Sequence, residues 1–225
     1  TVQIADQLGD QSPIIIDAST AHRVSEGWVY GFPELQRTQR MQIKQSNRIS
    51  NPGCYPTGAL ALIRPLVDNK IISNSSLLVI NAVSGFTGGG KKLIEFFSKN
   101  EKDKFYHYST FLNHKHNQEI KHYSLLDKSP VFCPSVGSFP QGMAVSVPLH
   151  YDWFSSNAKG KDIFELFKDN YSSEPLVTIN ALNSKDHLAY NGFLSPEVLI
   201  GTNFIDISIF SNDQSGQIWL ISRLD

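Results

Sequence analysis

The sequence predicts a mixed α/β chain, and three observations carry that reading. Runs of continuous apolar residues alternate with stretches of helical period in the order β, loop, α, β, α. After that the chain turns mostly to strands. It ends in the strongest hairpin signal of all, with strand patterns at 201–210 and 217–224 flanking the turn Asn212-Asp213-Gln214-Ser215-Gly216. Third, the 225 residues are 40% hydrophobic, 11% aromatic and 18% charged, enough apolar matter for a core, which excludes a disordered or fibrous chain.

Each element follows from its local pattern. Ile14, Ile15 and Ile16 between Pro13 and Asp17 predict a short buried strand. A loop rich in Gly, Trp and Tyr occupies 26–32, and a polar stretch follows over 36–47. From Thr57 the residues Leu60, Leu62, Ile63, Leu66 and Val67 give one broad helical face, closed by Asn69 and the β-branched pair Ile71 and Ile72. Residues 77–83 predict a second buried strand running into Ser84 and Gly85, and 91–99 predict a helix with Leu93, Ile94, Phe96 and Phe97 near one face. Residues 105–126, rich in His and Tyr, read as loop and then helix. Residues 143–149 alternate as a strand, 161–171 form a short amphipathic helix, and 175–182 form a further strand. No internal repeat or low-complexity linker interrupts the order.

Twenty basic and 21 acidic residues leave a net charge of −1, which offers no bulk field for nucleic acid or an anionic membrane. No apolar run approaches the roughly 20 residues of a spanning helix, and the N-terminal residues lack a signal-peptide pattern. Two cysteines, Cys54 and Cys133, exclude a disulfide framework. The expectation is a soluble cytoplasmic enzyme or binding domain acting on a small molecule, without nucleic-acid or membrane partners. Because a buried strand starts close to one end and another stops one residue before the other, a piece of a longer protein is expected.

The chemistry-bearing candidates begin with Cys54, placed by Pro52 and Gly53 in a tight turn immediately before the helix, where Pro56 is tolerated in the first turn. A thiol there meets free N–H groups and the positive helix end, so its pKa is expected below the usual value of about 8.5. The same donors suit an oxyanion forming beside the sulfur. The plain alternative is a small buried hydrophobe, which is the reading given to Cys133. In His114-Lys115-His116-Asn117-Gln118-Glu119, the Glu119 carboxylate lies one helical turn from His116 and is expected to orient its ring for acid/base work. The H-x-H spacing also suits a metal, but no ligand cluster accompanies it in sequence, so none is expected. Ser84-Gly85 and the following Gly88-Gly89-Gly90-Lys91-Lys92 allow backbone amides to approach an anion, yet match neither a Walker loop nor G-x-G-x-x-G. Arg23 lies past the carboxyl end of the first strand, where open α/β sheets bind ligands, although a surface arginine is the bland reading.

These pieces, in order, resemble one family. The carrying motifs are Ile16-Asp17-Ala18-Ser19-Thr20-Ala21-His22-Arg23, Gly27-Trp28-Val29-Tyr30-Gly31-Phe32-Pro33-Glu34-Leu35 and Asn51-Pro52-Gly53-Cys54-Tyr55-Pro56-Thr57-Gly58. Ala82-Val83-Ser84-Gly85, His114-Lys115-His116, Pro134-Ser135-Val136-Gly137, Gln141-Gly142-Met143 and Gly201-Thr202-Asn203-Phe204 follow. Together they resemble the N-acetyl-γ-glutamyl-phosphate reductases of arginine biosynthesis, their shorter variant above all, and the string around Cys54 is the most specific. The resemblance implies an α+β catalytic domain of the glyceraldehyde-3-phosphate-dehydrogenase-like type. Residues 51–210 would form the catalytic and dimerisation part, 1–50 a remnant of a Rossmann nucleotide-binding domain, and 211–225 a strand ahead of a returning helix. It implies NADPH-dependent reductive dephosphorylation of an acyl phosphate through a thioester on Cys54, with His116, or His114 in its place, as acid/base and Glu119 behind it. Arg23, Ser84, Gly85 and Gln141 would contact substrate; Ser19, Gly58, Gly88 and Asn203 would contact NADP; and the protein would be a homo-oligomer, dimer or tetramer. The family's nucleotide-binding glycine turn is not in the sequence, so weak NADPH binding is expected, and Ser138 stands where a basic residue is expected. An aspartate-semialdehyde dehydrogenase-like enzyme, a Cys/His hydrolase without nicotinamide, and a non-catalytic regulator are the alternatives.

Overall fold

In the computed structural model, which describes residues 7, 13–100 and 104–225, the strand patterns sort into two sheets. The smaller contains β1 (Ile15–Asp17), β2 (Val29–Tyr30) and β3 (Arg48–Ser50) in the order β1-β3-β2, all parallel, with Ile16 opposite Ile49 and Tyr30 opposite Ser50. The first strand therefore finds its partner downstream. Ile14 and Ile16 are exposed, which corrects the expectation that this strand is buried among these residues. Helix α1 (Gln39–Gln45) fills part of the stretch read as merely polar. Its one buried side chain, Gln39, donates to the Tyr30 carbonyl, so a tertiary contact and not an apolar face fixes it.

The larger sheet runs β5-β6-β4-β7-β10-β9-β8. Its strands are β4 (Val79–Gly85), β5 (Phe105–His107), β6 (Val131–Gly137), β7 (Met143–His150), β8 (Val177–Ile179), β9 (Ile205–Asn212) and β10 (Gln217–Leu224). The predicted hairpin forms, with Leu220 opposite Ile209, and β10 pairs on its other side with β7. Pairs β4–β6 and β8–β9 are parallel; the rest are antiparallel.

Alternation along these strands gives the sheet two different faces. Val145, Val147, Ile207, Ile209, Ile218 and Leu220 are buried on the side covered by helices α2 (Cys54–Asp68) and α5 (Gly160–Asn170), and each such side chain contributes on the order of 1.5–3 kcal/mol. Helix α2 approaches closely because residue 58 is glycine: a Cβ there would lie 2.8 Å from Ser222 Oγ and 2.9 Å from Val145 Cγ2. Gly58 is a helix-to-sheet packing position, which corrects its expected cofactor contact. The opposite face is floored by small residues, among them Asn81, Ser135, Ala144 and Ser146, and rimmed by Phe105, Phe193 and Trp219 around a hollow of about 700 Å³. Cys133, expected in the core, is half-buried and lines this hollow. Helices α3 (Lys91–Lys99) and α4 (Asn117–Ser124) complete the elements near the site. No helix among the described residues is long and apolar enough to cross a membrane.

Candidate active site

The start of α2, the end of β4 and the start of α4 converge on one cleft of about 600 Å³, bordered by Cys54, Ser84, Tyr108, His114 and His116. Gly53 caps α2 with extended backbone, and its carbonyl accepts from Thr57 N at 3.0 Å and Thr57 Oγ1 at 2.9 Å, so Cys54 opens the first turn. Its thiol is held above the ordinary value, not below it. Burial dominates, while the amides of Tyr55 and Cys54 and the charges of Arg23 and Lys115 pull the other way. The helix terminus thus acts as expected but is outweighed.

His116 occupies the cap position before α4 and is 5% exposed. Burial first, then the charges of His114, Arg23 and Lys115, lower its pKa to about 3, and its Nδ1 is buried without a hydrogen-bond partner. His114 Nδ1, by contrast, already accepts from the His116 amide at 3.1 Å. The two rings stand edge to face with centroids 4.7 Å apart.

Glu119 does not hold the His116 ring. Its Oε1 accepts from Gly53 N at 2.7 Å and Tyr30 OH at 2.7 Å, and its Oε2 pairs with Arg23 Nη1 at 3.1 Å. The one-turn spacing permitted an imidazole partner, but these donors from distant segments take the carboxylate. Arg23, expected to contact substrate, lines the cleft, but it is 8% exposed and already engaged, its Nε and Nη2 donating to the carbonyls of Asn51 and Ala18. Ser84 lines the cleft and accepts from Tyr55 OH at 2.8 Å. Gly85 cannot offer its amide to an anion, because that N–H donates to Gly142 O at 2.9 Å, and a Cβ on it would lie 2.3 Å from Pro140 O. Gln141 is exposed and borders neither this cleft nor the one below. Ser19 is likewise apart, its amide and hydroxyl donating to Asp17 Oδ1.

Cys54 also borders a second hollow of about 560 Å³ with Phe32, Thr57, Asn203 and Leu224. Asn203 therefore lies on this side of the sulfur, whereas Gly88 lies on the histidine side. Sequence reasoning passed over Tyr55 and Tyr108, which both border the cleft; burial raises both phenols. Tyr55 sat in plain view beside Cys54, but its aromatic ring read equally well as core. Among the described residues no group of three or more His, Cys, Asp or Glu is arranged to hold a metal ion.

Comparison with known proteins bears on this geometry. The family described as semialdehyde dehydrogenase, dimerisation domain, matches residues 54–225. N-acetyl-gamma-glutamyl-phosphate reductase of Trichormus variabilis is 40% identical over 94% of this chain and 68% of its own length. The enzyme of that name from Sinorhizobium medicae is 38% identical over 99% of this chain and 72% of its own. Among solved structures, aspartate semialdehyde dehydrogenase from Francisella tularensis superposes with a TM-score of 0.69 at 12% identity, covering 100% of this chain and 72% of that one. Aspartate semialdehyde dehydrogenase II from Vibrio cholerae, complexed with ASA, gives 0.68 at 10% identity, over 99% and 71%. At such identities the structures speak for the fold alone.

Proposed function

We propose, on the premise that the chain belongs to the N-acetyl-gamma-glutamyl-phosphate reductase family, that it carries the thiol chemistry of that enzyme. The reaction is the NADPH-dependent conversion of N-acetyl-L-glutamyl 5-phosphate to the 5-semialdehyde, a step of arginine biosynthesis in the cytoplasm. One observation carries this reading: a single sulfur borders two separate hollows, one lined by histidines and the other by Asn203.

The acyl phosphate occupies the histidine side. A thiol held above its ordinary pKa needs a base, and His116, whose ring burial keeps neutral at neutral pH, takes its proton as the sulfur attacks. The sulfur bonds to the acyl carbon, the carbon–oxygen bond to phosphate breaks, His116 passes the proton to the departing phosphate, and a thioester remains on Cys54. The amides of Cys54 and Tyr55 favour the sulfur anion during exchange. Residues around the second hollow, Asn203, Thr57 and Phe32, fit the nicotinamide half of the cofactor, which when bound supplies the two electrons that reduce the thioester. His116 carries a second proton, drawn from solvent, to the sulfur as the aldehyde departs, which restores the thiol. Residues 51–210 form the catalytic unit in this scheme, with 1–50 belonging to the nucleotide-binding side and 211–225 supplying β10. The small-residue face of the large sheet is where a second copy packs, consistent with the dimerisation description of residues 54–225.

Replacement Cys54→Ser tests the assignment. In the protein carrying this chain, phosphate-dependent oxidation of N-acetylglutamate semialdehyde falls by on the order of 10³-fold or more. Retained turnover removes Cys54 as nucleophile, and faster turnover of aspartate semialdehyde removes the substrate assignment.

A further inference from the structure

Pro52, the residue two before the reactive cysteine, is gripped on both sides by one buried network. On its N-terminal side the Asn51 carbonyl accepts from Arg23 Nε at 3.0 Å; on its C-terminal side the Gly53 amide donates to Glu119 Oε1 at 2.7 Å. Arg23 and Glu119 are themselves paired, and Tyr30, 1% exposed, adds its hydroxyl to the same Glu119 oxygen. Tyr30 stacks on Tyr123 with centroids 3.8 Å apart, and Tyr123 OH donates to the Arg23 carbonyl at 2.5 Å. No slack remains at the centre. A Cβ on Gly53 would lie 2.6 Å from Arg23 Nη1, 2.7 Å from His116 Nε2 and 2.9 Å from Glu119 Oε2.

We infer that Tyr30, Arg23 and Glu119 are positioning residues, which clamp the backbone on both sides of Pro52 and so hold Cys54 in place at the mouth of α2. The inference rests on the reading of Cys54 as nucleophile. A buried carboxylate with three donors is rigid, and the backbone it grips inherits that rigidity. The amides of Cys54 and Tyr55, which favour the thiolate, point correctly only while the turn is held.

The variant Tyr30→Phe loses one hydroxyl and keeps in place the charged and titratable groups around the thiol: Arg23, Lys115, His107, His114, His116, Tyr55 and Tyr108. Alkylation of Cys54 by iodoacetamide is followed by peptide-resolved mass spectrometry across about pH 6 to 10, with Cys133 in the same molecule reporting general loosening. The expected result is a Cys54 rate about fivefold or more lower at neutral pH and a profile midpoint moved upward, with Cys133 within about twofold. An unchanged Cys54 profile, or Cys54 and Cys133 changing together, overturns the clamp. Should Tyr30→Phe not fold, Arg23→Lys, which keeps the charge and loses the forked donor, is read in the same way. A clamp that fails leaves Cys54→Ser inactive, whereas a failed nucleophile leaves Cys54→Ser active whatever alkylation shows.

Discussion

Burial acts in the same sense on both partners of the proposed proton exchange, raising the Cys54 thiol and lowering the His116 imidazole to about 3, so at neutral pH they rest as thiol and neutral base. Folding is linked to pH as a result. Between about pH 3 and the unperturbed 6.5 an unfolded chain holds a proton on His116 that the folded chain refuses. The stability contributed is complete above 6.5 and is lost as pH falls through that window, at a slope of at most about 1.4 kcal/mol per pH unit. His114 is lowered too and adds in the same direction. Urea midpoints measured from about pH 7 down to pH 4 are expected to fall less steeply in His116→Gln than in the parent protein; equal slopes would contradict the shift. At this scale the sequence was legible where chemistry is local: Cys54 in its turn, and two histidines that do face the same cleft. Glu119 was not, because helical spacing states which partner is within reach and says nothing of competing donors brought in by Tyr30, Gly53 and Arg23.

Helix α2 contains Pro65, which has no N–H to offer the carbonyl four residues before it. That carbonyl, on Ala61, instead accepts from the buried hydroxyl of Tyr171 at 2.9 Å, just past the end of α5. A side chain from one helix thus repairs a ladder broken in another. Tyr171→Phe leaves the Ala61 oxygen buried and unpaired, and is expected to cost about 1–3 kcal/mol in urea unfolding with Cys54 alkylation unaffected. A loss below about 0.5 kcal/mol would show that the carbonyl finds water or tolerates the gap. Among elements, α2, α3 and the β9–β10 hairpin were readable from apolar period or alternation. Helix α1 and strand β3 were not, since α1 buries only Gln39 and β3 is three residues long; each exists through contacts the local pattern does not encode.

The α/β class followed from the alternation of patterns along the chain, but the order β5-β6-β4-β7-β10-β9-β8 did not, because strand neighbours far apart in sequence share no local signal. Nor did composition say which face of the large sheet would stay open. With Trp219 49% exposed and Phe193 71% exposed beside a floor of small residues, that face suits close packing by an identical surface. Trp219→Glu puts a charge at its rim, and in sedimentation velocity it is expected to shift the protein toward smaller species by on the order of tenfold or more in dissociation constant. An unaltered distribution would move the interface elsewhere.

The network around Pro52 also bears on how the protein matures. The bond from Gly53 to Glu119 closes 66 residues of chain, and that from Arg23 to Glu119 closes 96. Contacts of such span form only after the intervening segments have collapsed. A nascent or unfolded polypeptide therefore carries an ordinary thiol, and the tuned one is gained only once these distant segments have met.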